Sequence, residues 1–214
     1  MATVHLTEQR ALFLHLPKTA GFSISSALEA VPGARPHPVR GMDVIEGAAA
    51  WAASRLGREV FEDTFSFAVV RNPWDWTVSG WRHVTSRKDA YAGHGPDFAA
   101  FVRGGWRDGL VRCPNPLKFA SPEIFLRYHC IVTQWEHLCL APDAPAPLSH
   151  VARFEALPDE VETLRRRLGI RLDMPHKNRS DRRDYRSYYT DELAEIVARK
   201  NERLISEFGY RFDV

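Results

Sequence analysis

The stretch Ala11-Leu-Phe-Leu-His-Leu-Pro-Lys-Thr-Ala-Gly-Phe-Ser23 decides the fold. Its first six residues form a short apolar run bounded by Pro17, the composition of a buried strand in a parallel sheet. After the turn, Ile24, Ala27, Leu28 and Val31 recur at helical spacing until Pro32, so the segment reads strand, tight loop, helix. Phe65-Ser-Phe-Ala-Val-Val70 predicts a second buried strand, with Arg71 directly behind it. Pro73 suits the first turn of the next helix, where its missing N–H has no intrahelical partner anyway. On that helix Trp74, Val78 and Trp81 make an apolar stripe, while Asp75, Ser79 and His83 share another face.

Working outward, His150-Val-Ala-Arg-Phe154 predicts a third strand, and Pro158 opens a helix carrying Val161, Leu164 and Leu168 before Gly169. Thr190 caps a last helix, lined by Leu193, Ile196, Val197, Leu204 and Phe208. A further helix is expected over 43–56 with Gly57 as its stop. The middle, 86–147, mixes Gly, Pro and aromatics, with helices expected near 97–103 and 122–139 and a Pro-rich surface loop over 141–147. Strands alternating with helices predict a three-layer α/β fold with a mainly parallel sheet flanked by helices. In such sheets ligands bind at the carboxyl ends of the strands, the edge from which loops 16–23 and 71–79 leave.

A chain of 214 residues with 44% hydrophobic side chains suits one domain, 1–214, and its aromatics build a core without disulfides or structural metal. Cys113, Cys130 and Cys139 are odd in number and lack metal-ligand spacing, so they read as reduced and mostly buried. A net charge of +2 gives no overall field and no case for nucleic acid, so any anion site is local. The first ten residues lack a signal-peptide pattern and no apolar run approaches a membrane span, which predicts a soluble, cytoplasmic protein.

Two loops carry chemistry. Leu16-Pro-Lys-Thr-Ala-Gly-Phe-Ser23 brings backbone N–H groups, a lysine, two hydroxyls and a helix N-terminus together, with Gly21 letting the backbone come close to a phosphate. It is not a Walker A loop, because Lys18 precedes the only glycine, and the second strand ends in Arg71 rather than in an aspartate for Mg²⁺. Arg71-Asn-Pro-Trp-Asp-Trp-Thr-Val-Ser79 is the second: an arginine at a strand end grips phosphate through two N–H groups, and Ser79 adds a hydroxyl. The alternatives for the two loops are a plain strand-to-helix turn with an exposed lysine, and an arginine that caps the sheet at the surface or pairs with Glu62 or Asp63.

Leu14-His-Leu-Pro-Lys-Thr-Ala-Gly21 followed by Phe67-Ala-Val-Val-Arg-Asn-Pro-Trp74 and Ser79 resembles the paired nucleotide-binding motifs of the carbohydrate-type sulfotransferases, which use 3′-phosphoadenosine 5′-phosphosulfate (PAPS). The resemblance continues through Val151-Ala-Arg-Phe-Glu155, Leu168-Gly-Ile170, Tyr185-Arg-Ser-Tyr-Tyr-Thr190 and Phe208-Gly-Tyr-Arg-Phe212, and is thinnest over 86–147. It implies a sulfotransferase fold like that of P-loop nucleotide hydrolases, with PAPS as donor, PAP (adenosine 3′,5′-bisphosphate) as product and no metal. Pro17, Lys18, Thr19, Ala20, Gly21, Phe22 and Ser23 would hold the 5′-phosphosulfate, and Arg71 and Ser79 the 3′-phosphate. Lys177 and Arg179, in the basic loop His176-Lys-Asn-Arg-Ser180, would close over the nucleotide with Arg182, Arg183 and Arg186; a solvated basic loop is the alternative.

Sulfuryl transfer then runs by positioning and electrostatics, with Lys18 neutralising the charge that grows on the leaving phosphate oxygen. The acceptor, a hydroxyl or amine that includes carbohydrate hydroxyls among its candidates, needs a base. Family members often place a histidine before the second strand, whereas Gly41-Met-Asp-Val-Ile-Glu-Gly-Ala-Ala-Ala50 has none. Glu46 falls near that position and His37 lies upstream; both rank above His83. A P-loop-type kinase and a non-catalytic nucleotide-binding module are the rival functions.

Overall fold

A computed structural model describes residues 2–38, 47–91, 94–110, 122–174 and 183–213. In chain order it runs β1 (Ala2–Leu6), β2 (Ala11–Leu14), α1 (Gly21–Leu28), β3 (Ala34–Pro38), α2 (Ala48–Leu56), α3 (Val60–Asp63), β4 (Phe65–Val70) and α4 (Pro73–Thr85). There follow α5 (Lys88–Tyr91), α6 (Phe98–Val102), α7 (Pro122–Leu126), which continues as a π-turn over Arg127–Ile131, α8 (Gln134–Leu138) and the ribbon β5 (Cys139–Ala141) and β6 (Ala144–Pro145). The chain ends with β7 (His150–Arg153), α9 (Leu157–Leu168), α10 (Asp191–Lys200) and α11 (Glu202–Phe208). No described helix is long and apolar enough to cross a membrane.

The described residues form two compact units. One, built from 2–38, 47–71 and 136–174, contains a five-stranded sheet in the order β3-β1-β2-β4-β7. The sheet is mixed: β2, β4 and β7 are parallel, while β1 pairs antiparallel with both β2 and β3. The expectation of a mainly parallel sheet is therefore corrected to half of it, because β1 and β3 add an antiparallel edge. Since strand residues alternate sides, Phe13, Phe67, Val69 and Ala152 meet Ile24, Ala27 and Leu28 of α1 and Val161 and Leu164 of α9 in one core. Leu12, Leu14, Ala68 and Val70, the alternate positions, are buried as well; α2 packs against β2, and its Ala48, Ala49, Ala50, Trp51 and Ala52 are buried. That continuous apolar character is what a strand covered on both faces requires.

β3 carries Pro36 and Pro38, and it is an edge strand, where a missing N–H costs no ladder bond. Gly57 (φ +87) ends α2 and Gly169 (φ +63) ends α9, as their positions in the sequence require. The span read as a Pro-rich surface loop contains a short ribbon, in which Ala141 pairs with Ala144 around a positive-φ Asp143.

The second unit, from 72–91, 94–110, 122–135 and 183–213, is helical and aromatic. Asn72 caps α4, its Oδ1 accepting from the N–H groups of Trp74 (3.1 Å) and Asp75 (3.2 Å) while its Nδ2 donates to the Arg211 carbonyl at 3.0 Å. Trp74 Nε1 donates to the Ala194 carbonyl at 2.9 Å, and Trp81, Phe98 and Tyr188 meet edge to face. Thr190 caps α10 through the Leu193 N–H as its sequence predicts. The expected single last helix is two: at Asn201 (φ −114) the chain breaks step, and the Asn201 side chain donates to the Val197 carbonyl at 2.9 Å. Cys130 and Cys139 are buried thiols that form no disulfide, and Cys113 lies outside the described residues.

Candidate functional site

The parallel pairings set the carboxyl ends of β2, β4 and β7 side by side, Leu14 level with Ala68 and Val70 level with Arg153. From these ends leave the 15–20 loop, Arg71 and Phe154. Between Leu16 and α1 the backbone makes a tight double reversal. Lys18 has φ +64 and Ala20 φ +63, two of the four non-glycine positive values among the described residues, with Thr19 between them on the negative side. Positive φ in such residues costs on the order of 1 kcal/mol each and is retained where surrounding structure or function over-determines it. Alternation of hand along a backbone is also the pattern that turns successive N–H groups toward one concavity.

The loop holds itself in shape. Thr19, fully buried, donates its hydroxyl hydrogen bond to the Leu16 carbonyl at 3.1 Å, which shapes the turn. The Ala20 carbonyl takes the N–H groups of Ser23 (2.9 Å) and Ile24 (3.1 Å), and the Ser25 hydroxyl returns to the Gly21 carbonyl at 2.7 Å. Gly21 and Phe22 open α1, where N–H groups have no intrahelical acceptor and the helix end is positive. Lys18 is half-buried, Ser23 buried, and Phe22 is the exposed large apolar residue of the described chain.

Arg71 closes the site from β4. Its Nη1 donates to the Lys18 carbonyl at 3.0 Å, and its guanidinium lies 4.1 Å from the centre of the Phe154 ring. With 8% of its surface exposed, it is an internal brace between strand ends, not a surface residue. Ser79 and His83 belong to α4 in the second unit, where the His83 ring centre lies 5.6 Å from that of Phe125 and 5.1 Å from that of His129.

His37 stands on β3. Because β3 and β2 are both antiparallel to β1, they run the same way, and His37 reaches the same sheet edge as the loop, two strands or ~10 Å from β2. It pairs with Thr3, whose Oγ1 accepts the His15 N–H at 3.3 Å. Its Nε2 is buried without a hydrogen-bond partner among the described residues. Burial, then the Arg35 charge, lowers its pKa from the usual imidazole value, which keeps the ring neutral and able to accept a proton. Glu46, Lys177, Arg179 and Arg182 lie outside the described residues.

Two residues that the sequence reading passed over belong to this site. Phe154 follows β7 as Arg71 follows β4, and its position at a strand end was the available signal. His15 sits beneath Gly21, 1% exposed, on the same side of β2 as Phe13, a placement that the two-residue period of the strand encodes. A cavity of about 670 Å³ bordered by Glu8, Gln9, Ala27, Val31 and Arg171 lies at the other end of α1, away from these strand ends, and carries none of this chemistry. No protein family, no curated protein and no solved structure matches the chain.

Proposed function

We propose that the chain is a PAPS-dependent sulfotransferase whose donor site is the 16–23 loop with Arg71, on a sulfotransferase version of the three-layer P-loop-type architecture. One observation supports this above the others: the two motif halves, 53 positions apart, meet as a bond from Arg71 Nη1 to the Lys18 carbonyl at the carboxyl edge of the parallel strands. An isolated phosphate loop needs no such arginine. A donor with phosphate at both ends of its nucleoside needs two anion sites close together, and a basic brace beside an amide concavity provides them.

In this reading the Gly21 and Phe22 amides and the α1 N-terminus bind the 5′-phosphosulfate, and Arg71 answers the 3′-phosphate. Lys18 acts on the leaving oxygen, where charge appears only as the S–O bond breaks, so its effect falls on the transition state. His37 takes the acceptor proton; it is neutral, stands at the carboxyl edge of the sheet, and its buried Nε2 has no hydrogen-bond partner among the described residues. The test is turnover of radiolabelled PAPS over a panel of hydroxyl and amine acceptors, carbohydrates included. Label transferred to an acceptor, with PAP released, supports the enzyme. PAP binding with no transfer to any acceptor would leave a nucleotide-binding module instead.

A further inference from the structure

Gly21 has a neighbour that a ligand account of this glycine leaves out. A Cβ on residue 21 would stand 2.7 Å from His15 Cε1, 2.8 Å from Nε2 and 2.9 Å from Nδ1. Those distances are far inside van der Waals contact, so the ring and any side chain at 21 exclude each other. Backbone conformation does not explain the glycine, because Gly21 is absent from the positive-φ positions of the described chain and an L-residue fits its φ. Nor can the ring easily withdraw. His15 is 1% exposed, its ring packs 6.2 Å from that of Phe13, and its backbone N–H, bonded to Thr3 Oγ1 at 3.3 Å, fixes the main chain from which the ring projects.

We propose that His15 is a positioning residue: its imidazole is the seat on which the first turn of α1 rests, and residue 21 lacks a side chain to make room for that ring. This rests on the reading of residues 17–23 as the anion site. The seat fixes how far the Gly21 and Phe22 amides stand from the β2 edge, and hence the depth of the concavity between Lys18 and α1. The ring suits the place because it is uncharged: burial first, with His137 nearby, pushes its pKa down to about 3. A cation there would face the positive end of α1. Gly21 thus acts on the ligand through His15, whereas a glycine that serves close approach of a phosphate would act on it directly.

A double-mutant cycle separates the two. Wild type, Gly21→Ala, His15→Ala and the double variant are compared by melting midpoint and by PAP affinity in calorimetry. The expected result is that Gly21→Ala lowers the midpoint and weakens PAP by about tenfold or more, that His15→Ala, which removes the seat, itself weakens PAP, and that the double variant melts higher than Gly21→Ala, a coupling of the size seen for residues in contact. If Gly21→Ala fails to fold and the double variant folds, the coupling is read directly. The proposal is overturned if Gly21→Ala matches wild type, or if the double variant melts no higher than Gly21→Ala or fails to fold. It is equally overturned if His15→Ala alone binds PAP as tightly as wild type, since the ring would then set no distance for the amides. Failure of the wild type to bind PAP at all would refute the nucleotide reading alone, and the melting arm would still decide whether His15 seats residue 21.

Discussion

Removing the Arg71 guanidinium tests the join between the two strand-end loops. Arg71→Ala deletes a charge-assisted bond to the Lys18 carbonyl and the stack on Phe154, in a side chain only 8% exposed. Hydrogen bonds to charged groups contribute about 1.5–3 kcal/mol, and a desolvated cation–π contact up to about 2 kcal/mol. The expected loss of stability is therefore about 2–5 kcal/mol, or roughly 5–15 °C of melting midpoint for a chain of this size. Arg71→Lys keeps the charge but not the planar fork, and should recover less than half. Thermal and urea melts of these variants, crossed with Phe154→Leu, measure the loss and apportion it between bond and stack. PAP binding should fall with stability by about 1.5–3 kcal/mol, since the brace and a phosphate partner go together. An Arg71→Ala protein that melts within about 2 °C of wild type would refute the brace and the magnitudes built on it.

Three other outcomes are expected. Lys18→Ala should lower kcat more than it raises the KM for PAPS, because the leaving-group charge exists only in the transition state; an unchanged kcat would make Lys18 a binding residue. Asn72→Ala removes the cap of α4 and the bond to the Arg211 carbonyl and should cost about 1–2 kcal/mol in urea melts, against nearly nothing if the cap is dispensable. His15 gives a pH dependence with a fixed sign. Its folded pKa is depressed by burial to about 3, so the unfolded chain takes up a proton below about 6.5 that the folded chain refuses, and stability falls with pH through that window. By pH 5 the loss from this one residue is about 2 kcal/mol; His15→Gln should flatten that part of the slope, and equal slopes in both proteins would contradict the buried neutral ring.

The parts of the fold that sequence shows are those where burial writes a single periodicity. β2, β4 and β7 lie at apolar runs, and α1 and α9 at stripes that their core faces require. β1 and β3 escape for opposite reasons. β1 has Thr3 and His5 alternating with buried Val4 and Leu6 over five residues, too short to stand out, and β3 hides behind prolines that only an edge strand tolerates. The break at Asn201 is invisible because the apolar spacing of α10 carries on into α11. At the site, residue types announced the lysine, the glycine and the arginine, but not who touches whom. That Gly21 faces His15, and that Arg71 turns inward to Lys18, are facts of tertiary packing between residues that no local pattern links.

Calorimetric titration with PAP, 5′-AMP and ATP–Mg²⁺ tests the central claim most directly. A site with a 5′-phosphate cradle and a second anion contact at Arg71 predicts that PAP binds without divalent metal, more tightly than 5′-AMP by about tenfold or more, the worth of one charge-assisted contact. Equal affinity for PAP and 5′-AMP, or binding of ATP only with Mg²⁺ and none of PAP, would contradict it.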